Sequence, residues 1–363
     1  MNLTKYERRP SREVRIGRVV IGGNRPIAVQ SMTNTDTKDT EACVRQIERI
    51  FRAGGPIVRL TAQGRREGEN LERIVRRLRE EGCDAAVVAD IHFVPEVAAI
   101  AAKYVDKVRI NPGNYNSSHG EFEALIDQCR ERGVAIRIGV NHGSLSKRVF
   151  DEWGDTPEGM VASAMEFLRV CREKAFDQVV VSMKSSNTRV MVAAYRLLVE
   201  AMEREGMDYP LHLGVTEAGN GIEGRIKSAV GIGALLADGI GDTIRVSLTD
   251  VPVNEVYAGF DILKAVGLKT DAPTLVSCPT CGRTKIDLIG LAAQVEERLR
   301  DCRKPIKVAV MGCAVNGPGE AREADIGVAG GDGCGLLFKK GEIIRKVPED
   351  QILDELMREI EKL

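Results

Sequence analysis

Eight short runs rich in β-branched residues, each followed by a helical pattern, organise the first two thirds of the chain. The runs start roughly 22 to 43 residues apart, which is the spacing of a strand, a crossover helix and their loops. Eight such repeats predict a closed (β/α)8 TIM-like barrel, with an open doubly wound sheet as the competing topology. The runs are Ile27–Met32, Ile57–Ala62, Ala85–Asp90, Lys107–Pro112, Ala135–Val140, Gln178–Met183, Leu211–Thr216 and Thr243–Leu248.

Apolar positions with helical periodicity lie between these runs and predict the outer layer of the barrel. The segment Val14–Gly23 is predicted to form an extra hairpin before the first barrel strand. The clearest helical segments are Thr40–Ala53, Asn70–Glu81, Gly120–Arg132, Pro157–Lys174 and Thr188–Glu205.

The alternation of strand and helix stops after a helix predicted near Val253–Val266, and the polar stretch Lys269–Pro273 is typical of a linker. We therefore predict two domains, a barrel over residues 1–267 and a compact α+β domain over residues 268–363. The second domain is predicted to contain a helix near Lys285–Arg300, a strand Ile306–Met311, short strands near Ile326–Ala329, Gly335–Phe338 and Ile343–Val347, and a final helix Glu349–Glu361.

The composition excludes several classes of protein. The formal net charge is −1 and aromatic residues make up only 4% of the chain, so we expect no nucleic-acid partner. The amino terminus lacks the apolar core of a secretory signal, and no apolar run reaches the roughly 18 residues of a membrane span. We expect a cytoplasmic protein with no membrane partner, whose nine cysteines are thiols or metal ligands.

Cationic residues recur at the carboxyl ends of the predicted strands, where barrels of this class carry their chemistry. Several cations that meet at one mouth repel one another unless an anion lies between them. Paired phosphates are the natural candidate, because guanidinium groups bind their oxygens in bidentate geometry. The alternative is that each arginine faces outward or pairs with a helix carboxylate. The cations are Arg59, Arg109, Arg137, Lys184 and Arg245.

Other polar residues share these strand ends. Glu217 is an acid at a cation-rich mouth, where it can act as a proton donor or, equally, form a structural salt bridge. His92 and His142 are candidates for ligand contact, whereas His212 begins its strand and is expected in the core or at the barrel bottom. The loop Gly219–Gly221 fits a phosphate site and also an ordinary turn. The remaining polar residues at the strand ends are Gln30, Ser31, Asn34, Thr61, Asp90, Asn111, Asn141, Ser182, Ser185, Thr216 and Ser247.

Two cysteine motifs give the strongest local signal in the second domain. Cys278 and Cys281 have C-x-x-C spacing, which allows one turn to bind one metal centre through both thiolates, and Cys313 ends a strand in a Gly- and Pro-rich loop. An iron–sulfur cluster with three thiolates and an oxygen ligand is favoured over zinc, because a zinc ribbon normally closes with a second cysteine pair. The other cysteines are expected to be mostly buried, except Cys334, whose Gly-rich loop is exposed enough to leave it open as a further ligand, although the interpretation without it is favoured. They are Cys43, Cys83, Cys129, Cys171, Cys302 and Cys334.

Five segments together resemble the 4-hydroxy-3-methylbut-2-enyl diphosphate synthase family of isoprene biosynthesis, in its short bacterial two-domain form. The resemblance covers nearly the whole chain and implies a [4Fe–4S] cluster bound by Cys278, Cys281, Cys313 and, through a carboxylate oxygen, Glu320. A carboxylate exchanges more readily than a thiolate and can yield its iron to a substrate oxygen. The five segments are Arg109–Asn114, Arg137–Ser144, Leu213–Gly219, Ser277–Arg283 and Met311–Glu320.

The same resemblance implies a reaction and partners. The family substrate is 2-C-methyl-D-erythritol 2,4-cyclodiphosphate, which undergoes two-electron reductive ring opening and dehydration, with flavodoxin or ferredoxin as the electron donor. Glu217 is implied as the proton donor. The family's head-to-tail homodimer also fits the linker. About six linker residues span at most roughly 20 Å, whereas the mouth lies roughly 30 Å or more from the barrel bottom, where the linker starts. We therefore expect the second domain to cap the barrel mouth of a partner chain. The substrate-binding residues carried over from the family motifs are Arg59, Arg109, Arg137, Asn141, Lys184, Arg245 and Ser247.

Two other functions stay open on the sequence alone. One is a barrel lyase that acts on a phosphorylated ligand and carries a structural zinc domain. The other is a non-catalytic redox sensor, in which an iron–sulfur cluster controls binding of a phosphorylated ligand. Metal content separates the first from the resemblance, and turnover with a reductant separates the second.

Overall fold

The computed structural model of the chain describes residues 6–115, 120–269, 271–299, 302, 304–314, 319 and 321–363. Two compact units divide the chain, residues 1–266 and residues 267–363. Among the described residues, no helix is both long enough and apolar enough to cross a lipid bilayer.

The first unit is a parallel barrel, which confirms the predicted (β/α)8 fold. An antiparallel hairpin of β1 (Val14–Ile16) and β2 (Val19–Ile21) precedes it, as predicted. The barrel strands are β3 (Ala28–Met32), β4 (Ile57–Ala62), β5 (Ala86–Ile91), β6 (Lys107–Ile110), β7 (Ala135–Asn141), β8 (Val179–Lys184), β9 (His212–Leu213) and β10 (Thr243–Ile244). Their order is β8-β7-β6-β5-β4-β3-β10-β9, and a parallel bridge between Val181 and Leu211 links the two ends.

Helices follow the strands and surround the barrel. Side chains cap several of them at the amino terminus: Asp39 accepts a hydrogen bond from Ala42, and Thr156 accepts one from Gly159. The helices are α1 (Thr40–Arg52), α2 (Arg65–Glu80), α3 (Pro95–Ala101), α4 (Glu121–Arg132), α5 (Lys147–Trp153), α6 (Pro157–Glu173), α7 (Thr188–Arg204), α8 (Gly221–Ala237) and α9 (Pro252–Ala265).

Two parts of the barrel differ in extent from the predicted elements. Helix α2 begins at Arg65, five residues before the predicted start, and an ion pair from Arg65 to Glu69 stabilises its first turn. Strands β9 and β10 are only two residues long. Beyond them the pairing continues through single hydrogen bonds, such as that from the Arg245 amide to the Leu213 carbonyl.

The barrel interior is apolar at the bottom. The hairpin residues Val14, Ile16 and Ile21 pack against side chains from four barrel strands. Because strand side chains alternate between faces, the next inward positions along the same strands lie above this apolar plug, toward the carboxyl ends. The barrel residues of the plug are Ile57, Ala86, Val88, Ala135 and Val180.

The second unit is a five-stranded sheet whose first three strands are parallel and whose last two are antiparallel. Its two long helices pack against one face of the sheet. The strands are β11 (Thr274–Ser277), β12 (Lys307–Met311), β13 (Ile326–Gly331), β14 (Cys334–Lys339) and β15 (Glu342–Pro348), and the helices are α10 (Leu288–Leu299) and α11 (Ile352–Glu361). Strand β11 is not predicted by the sequence, because its four residues are too few to give a clear pattern. Since β11 and β12 are parallel neighbours, the loops that follow them emerge at the same edge.

Candidate functional site

The cations predicted at the strand ends face the interior of the barrel and lie above the apolar plug. Arg59 on β4, Arg109 on β6 and Arg137 on β7 are buried, and Lys184 at the end of β8 is buried as well. Arg245 follows β10 and is half-buried. The outward-facing alternative for these residues is therefore wrong, whereas the alternative of pairing with a helix carboxylate is confirmed for Arg245, which pairs with Glu255 of α9.

Two buried carboxylates pair with part of this cationic set. Asp90 on β5 accepts a hydrogen bond from Arg109 at 2.9 Å and lies 3.5 Å from Arg59. Burial alone raises the pKa of the Asp90 carboxyl, but Arg59 and Arg109 together hold it well below its usual range. Burial lowers the pKa of the Arg59 guanidinium to about 10, although Asp90 opposes that shift.

The second carboxylate, Glu255, lies on α9 and was not found by sequence reasoning. It accepts a hydrogen bond from Arg245 at 2.9 Å and another from the Ser31 hydroxyl at 2.8 Å. Leu248 donates its backbone amide to the same carboxylate at 3.1 Å. Glu255 thus fixes Arg245 and the loop after β10 together.

Arg137 has no such partner. Its side chain is fully buried, and none of its three guanidinium nitrogens has a hydrogen-bond partner in the part of the chain that the structure describes. Burial lowers its pKa, and Arg59 and Arg109 lower it further by repulsion. An arginine keeps its proton even so, because its unperturbed pKa is above 12. A buried and unpaired guanidinium requires an anion to balance it.

Two glycines, Gly139 on β7 and Gly214 just after β9, make room for the cations. A Cβ atom on Gly139 of β7 would lie 2.6 Å from Nε of Arg109. A Cβ atom on Gly214 would lie 2.8 Å from Nζ of Lys184 and 2.5 Å from the Arg245 carbonyl oxygen. Any larger residue at either position would therefore displace a cation from the barrel interior.

The predicted hydrogen-bonding residues lie beside these cations. The Asn141 side-chain oxygen accepts a weak hydrogen bond from Arg109 at 3.4 Å, and the Ser247 hydroxyl accepts one from Arg245 at 3.2 Å. Both side chains keep a polar atom available for a ligand, because an amide group and a hydroxyl each have a donor as well as an acceptor.

The histidines differ in their surroundings. His92 follows β5, and its Nε2 atom lies 3.9 Å from the Asp90 carboxylate. His142 contacts Asp155, with Nε2 at 3.2 Å from the Asp155 carbonyl oxygen. His212 is fully buried at the start of β9, as predicted, and burial together with Arg137 and Lys184 lowers its pKa well below 6.5.

Glu217 lies in the loop after β9 and is exposed. Its backbone φ angle is 51°, in the left-handed region that residues with a side chain seldom adopt. Such strain costs on the order of 1–3 kcal/mol and often marks functional positions. The ordinary salt bridge considered for Glu217 does not appear among the described residues.

The two cysteine motifs lie side by side in the second unit. Cys278 directly follows β11, and its Sγ atom accepts a hydrogen bond from the Gly312 amide at 3.1 Å, one residue before Cys313. Cys281 is exposed, and hydrogen bonds with Arg283 lower the pKa of its thiol. Amide donation to sulfur is the environment that cluster thiolates have, so these loops fit an iron–sulfur group. The described ranges contain no preformed group of three metal-ligating side chains, and Glu320 lies outside them.

The other cysteines are mostly buried. Burial raises the pKa of Cys129 and of Cys171 to about 12, which keeps both thiols protonated. Cys334 is also buried at the start of β14, so the expectation that it is more exposed than the rest is wrong. Cys334 is the first residue of β14 and pairs with Gly331 and Pro348 on the neighbouring strands, so it lies in the sheet and not in the loop before it. Cys302 is half-buried and packs against the core of the second unit.

Comparison with known proteins agrees with this division of the chain. The model of the GcpE TIM-barrel domain matches residues 11–260, and that of the GcpE protein C-terminal domain matches residues 274–362. The chain is 50% identical to a protein of Clostridium perfringens over 98% of this chain and 99% of that one. It is 49% identical to a protein of Caldanaerobacter subterraneus over 98% of both chains. It is also 49% identical to one of Geobacillus thermodenitrificans, over 98% of this chain and 93% of that one.

All three relatives carry the name 4-hydroxy-3-methylbut-2-en-1-yl diphosphate synthase (flavodoxin). The matched segments cover both units and include every described residue of the cationic set and of the cysteine motifs. The chain belongs to the GcpE family, the 4-hydroxy-3-methylbut-2-enyl diphosphate synthases.

Proposed function

We propose that this chain is an iron–sulfur oxidoreductase that converts 2-C-methyl-D-erythritol 2,4-cyclodiphosphate into 4-hydroxy-3-methylbut-2-enyl diphosphate. It binds a [4Fe–4S] cluster, takes electrons from flavodoxin and acts in the cytoplasm. The names of its relatives support the reaction and the donor. A ferredoxin is the alternative donor.

The observation that carries this proposal is the unpaired Arg137 inside a barrel with too few acids. Among the residues that the structure describes, five inward cations lie near two buried carboxylates, Asp90 and Glu255, so an anionic ligand is required for charge balance. A diphosphate supplies negative charge on several oxygens in a compact group, and guanidinium forks bind such oxygens in pairs. The five cations are Arg59, Arg109, Arg137, Lys184 and Arg245.

The chain's own residues have separate tasks in this reaction. Arg59, Arg109, Arg137, Lys184 and Arg245 bind the diphosphate, and Asn141 and Ser247 orient it through hydrogen bonds. Asp90 and Glu255 do not bind it, since they hold three of the arginines in place. Fixing the diphosphate deep in the barrel directs the carbon skeleton of the substrate toward the mouth.

Glu217 acts as the proton donor at the mouth. The reaction breaks one carbon–oxygen bond to the diphosphate, consumes two electrons and releases the neighbouring hydroxyl as water. That hydroxyl leaves more readily when a proton is delivered to its oxygen. The backbone of Glu217 supports this role. Its left-handed conformation is strained, and strained residues cluster at functional sites.

Cys278, Cys281 and Cys313 hold the cluster, with Glu320 as the oxygen ligand. When bound, the cluster supplies electrons to the substrate one at a time. The hydrogen bond from the Gly312 amide to Cys278 supports this assignment, because it joins the two cysteine loops.

Two chains form each pair of active sites in a head-to-tail homodimer. Helix α9 runs back from the mouth and ends at Ala265, at the bottom of the barrel, and β11 begins at Thr274. About eight intervening residues span at most roughly 28 Å, little more than the roughly 21 Å that the 14 residues of α9 cover. Such a short connection supports the head-to-tail arrangement that the family resemblance implies, in which the cluster unit of one chain serves the barrel of its partner.

Anaerobic purification tests the cluster and turnover tests the reaction. An iron–sulfur protein is brown, with a broad absorption band near 400 nm. A colourless protein that contains zinc would support the barrel lyase instead. Cys313→Ser should lose the cluster, and Cys129→Ser, which changes a buried thiol of the barrel, should keep it.

A brown protein that binds the cyclic diphosphate but never converts it with flavodoxin and a reductant would be a sensor. Replacing flavodoxin with ferredoxin identifies the donor.

Co-expression tests the homodimer. At a substrate concentration far below the weakened Kd of Arg137→Ala, this variant and Cys313→Ser should each be nearly inactive alone, because one removes a barrel contact and the other removes a cluster ligand. In a random mixture half of the dimers are hybrids with one intact site, so about a quarter of wild-type activity should return. An inactive mixture would mean that each site is built from one chain.

A further inference from the structure

Over the described ranges of the chain, Lys107 is the inward-facing lysine or arginine of the barrel that neither the family motifs nor the strand-end pattern identifies. It begins β6, and its side chain is fully buried. Its Nζ atom has no hydrogen-bond partner among the residues that the structure describes. A buried amine without any partner is unfavourable, so its retention calls for an explanation.

The position of Lys107 limits what that partner can be. Its register partners on the neighbouring strands are Val88 and Ala135, and both belong to the apolar plug that the hairpin closes. Neither neighbour therefore offers the amine an acceptor. Lys107 faces the same side as Arg109, which lies two residues further along β6, about 7 Å nearer the mouth. A lysine side chain spans that distance, so its counter-charge must come from above.

The charges above Lys107 repel a further proton in the ligand-free barrel. Burial lowers the pKa of Lys107 well below 10.5, and Arg137 and Arg59 lower it further. Asp90 is the nearest acid by strand order, and it is already engaged by Arg59 and Arg109. The titratable and charged groups that face the interior from the surrounding elements are Arg59, Asp90, Arg109, Arg137, Lys184, His212, Arg245 and Glu255.

We infer that Lys107 is the innermost member of the diphosphate-binding set and that its amine takes up a proton when the substrate binds. Before binding, burial and the cations above it favour the neutral amine; the anion then brings negative charge into the barrel, which favours uptake of one proton from solvent to give an ammonium ion. The added charge then attracts the diphosphate from below and holds it at full depth. This inference rests on the proposed function, because it takes the cyclic diphosphate as the ligand.

One neutral polar group lies near Lys107 and suits this exchange. The Nε2 atom of His212 is buried and has no hydrogen-bond partner within the described ranges, and Lys107 is among the charges that lower the pKa of His212. His212 is also held through its backbone, since its carbonyl oxygen accepts a hydrogen bond from the Tyr195 hydroxyl. Its neutral imidazole can face an ammonium ion or a neutral amine without changing its own charge.

Isothermal titration calorimetry counts the protons. The cluster-loaded protein, oxidised and without reductant, is titrated with 2-C-methyl-D-erythritol 2,4-cyclodiphosphate in three non-phosphate buffers of different ionisation enthalpy at one pH near neutrality. The slope of the binding enthalpy against the buffer enthalpy gives the number of protons taken up. The ligand itself exchanges none there, because each phosphorus of a cyclic diphosphate diester carries a single, strongly acidic oxygen.

Wild type should take up protons, and Lys107→Met should take up nearly one proton fewer and bind several-fold more weakly. Lys103→Met, which changes an exposed lysine just before β6, should match wild type. Lys107→Leu serves the same purpose if the methionine variant does not fold.

Absence of proton uptake by wild type would overturn the inference. An unchanged count in a folded Lys107 variant would also overturn it and would assign the proton to another group, such as Lys184. Both results leave the proposed function intact, whereas failure of wild type to bind the cyclic diphosphate at all would overturn the proposed function and this inference together.

Discussion

Arg109 and Arg137 are register partners on neighbouring barrel strands, yet only Arg109 has a carboxylate partner. Asp90 accepts its hydrogen bond at 2.9 Å, whereas all three guanidinium nitrogens of Arg137 are without a partner across the described residues. Two adjacent arginines at the same height thus have opposite requirements. Asp90 offsets the positive charge of Arg109, whereas the charge of Arg137 is offset only when an anion binds.

Replacing Arg137 with methionine should separate binding from stability. A charge-assisted hydrogen bond contributes about 1.5–3 kcal/mol, so binding of the cyclic diphosphate should weaken by about 10- to 100-fold. The ligand-free protein should unfold at a higher temperature, because a buried unpaired charge is removed. Calorimetry and thermal unfolding measure the two effects. Arg76→Met, on the exposed face of α2, should change neither, and normal binding by Arg137→Met would contradict the role of Arg137.

Replacing Asp90 with asparagine should have the opposite effect on stability. Arg59 and Arg109 both lose their acid, and removing one partner of a buried ion pair costs about 3–5 kcal/mol. Excess cyclic diphosphate should restore part of the loss, because a ligand stabilises the folded state to which it binds. Denaturant unfolding with and without ligand measures this. A variant as stable as wild type would show that the Asp90 pairs contribute nothing.

Asp90 also makes a testable contribution to acid stability. Arg59 and Arg109 hold the Asp90 pKa well below its value in the unfolded chain. The unfolded state therefore binds more protons between the two pKa values, and stability falls as the pH falls through that window. The contribution is fully present above about pH 4, the ordinary carboxyl pKa. Below that pH, unfolding free energy should fall less steeply in Asp90→Asn than in wild type; equal slopes would contradict the lowered pKa.

Gly139 should tolerate no side chain. A Cβ atom there would lie 2.6 Å from Nε of Arg109, so Gly139→Ala should displace that guanidinium and weaken substrate binding by about tenfold or more, the loss of one charge-assisted hydrogen bond. Gly233→Ala is the matched control. Gly233 lies in helix α8, where alanine is favoured, and the nearest atom to a Cβ built there is 3.8 Å away. A binding titration of each variant with the cyclic diphosphate measures the change in affinity. Wild-type affinity in Gly139→Ala would show that Arg109 relaxes at no cost.

Glu217→Gln should lower kcat strongly and leave the substrate Kd within a few-fold of wild type. The amide keeps the size and the backbone strain of the residue but has no acidic proton to donate. Steady-state turnover with flavodoxin and a separate binding titration measure the two quantities. If kcat is unchanged, another group delivers the proton. If only Kd changes, Glu217 is a binding residue.

Much of the barrel could be predicted because its signals are local. Runs of β-branched residues mark the strands, and the recurrence of arginine at Arg59, Arg109 and Arg137 marks the inward face near the mouth. The strand period of two also places Lys107 on the same face as Arg109. That signal was present in the sequence, although an ordinary strand-entry lysine is expected to face solvent.

The pairing of the cations could not be predicted. Glu255 lies on helix α9, ten residues beyond Arg245. No local sequence pattern indicates that this helix places the Glu255 carboxylate over the end of β3. The space at Gly139 and Gly214 likewise depends on side chains of neighbouring strands. Such contacts are set by how the barrel closes, which a single sequence does not display.

A single turnover of the reduced holoprotein tests the proposed reaction most directly. The protein is reduced anaerobically together with enough flavodoxin to carry a second electron per active site, because one cluster gives up a single electron and the reaction needs two. The mixture is freed of excess reductant and mixed with 2-C-methyl-D-erythritol 2,4-cyclodiphosphate, while the visible spectrum and the product are followed together. The spectrum should return to that of the oxidised protein, and one molecule of 4-hydroxy-3-methylbut-2-enyl diphosphate should form for every two electrons lost. Protein that binds the cyclic diphosphate yet stays reduced and forms no product would contradict the proposed function.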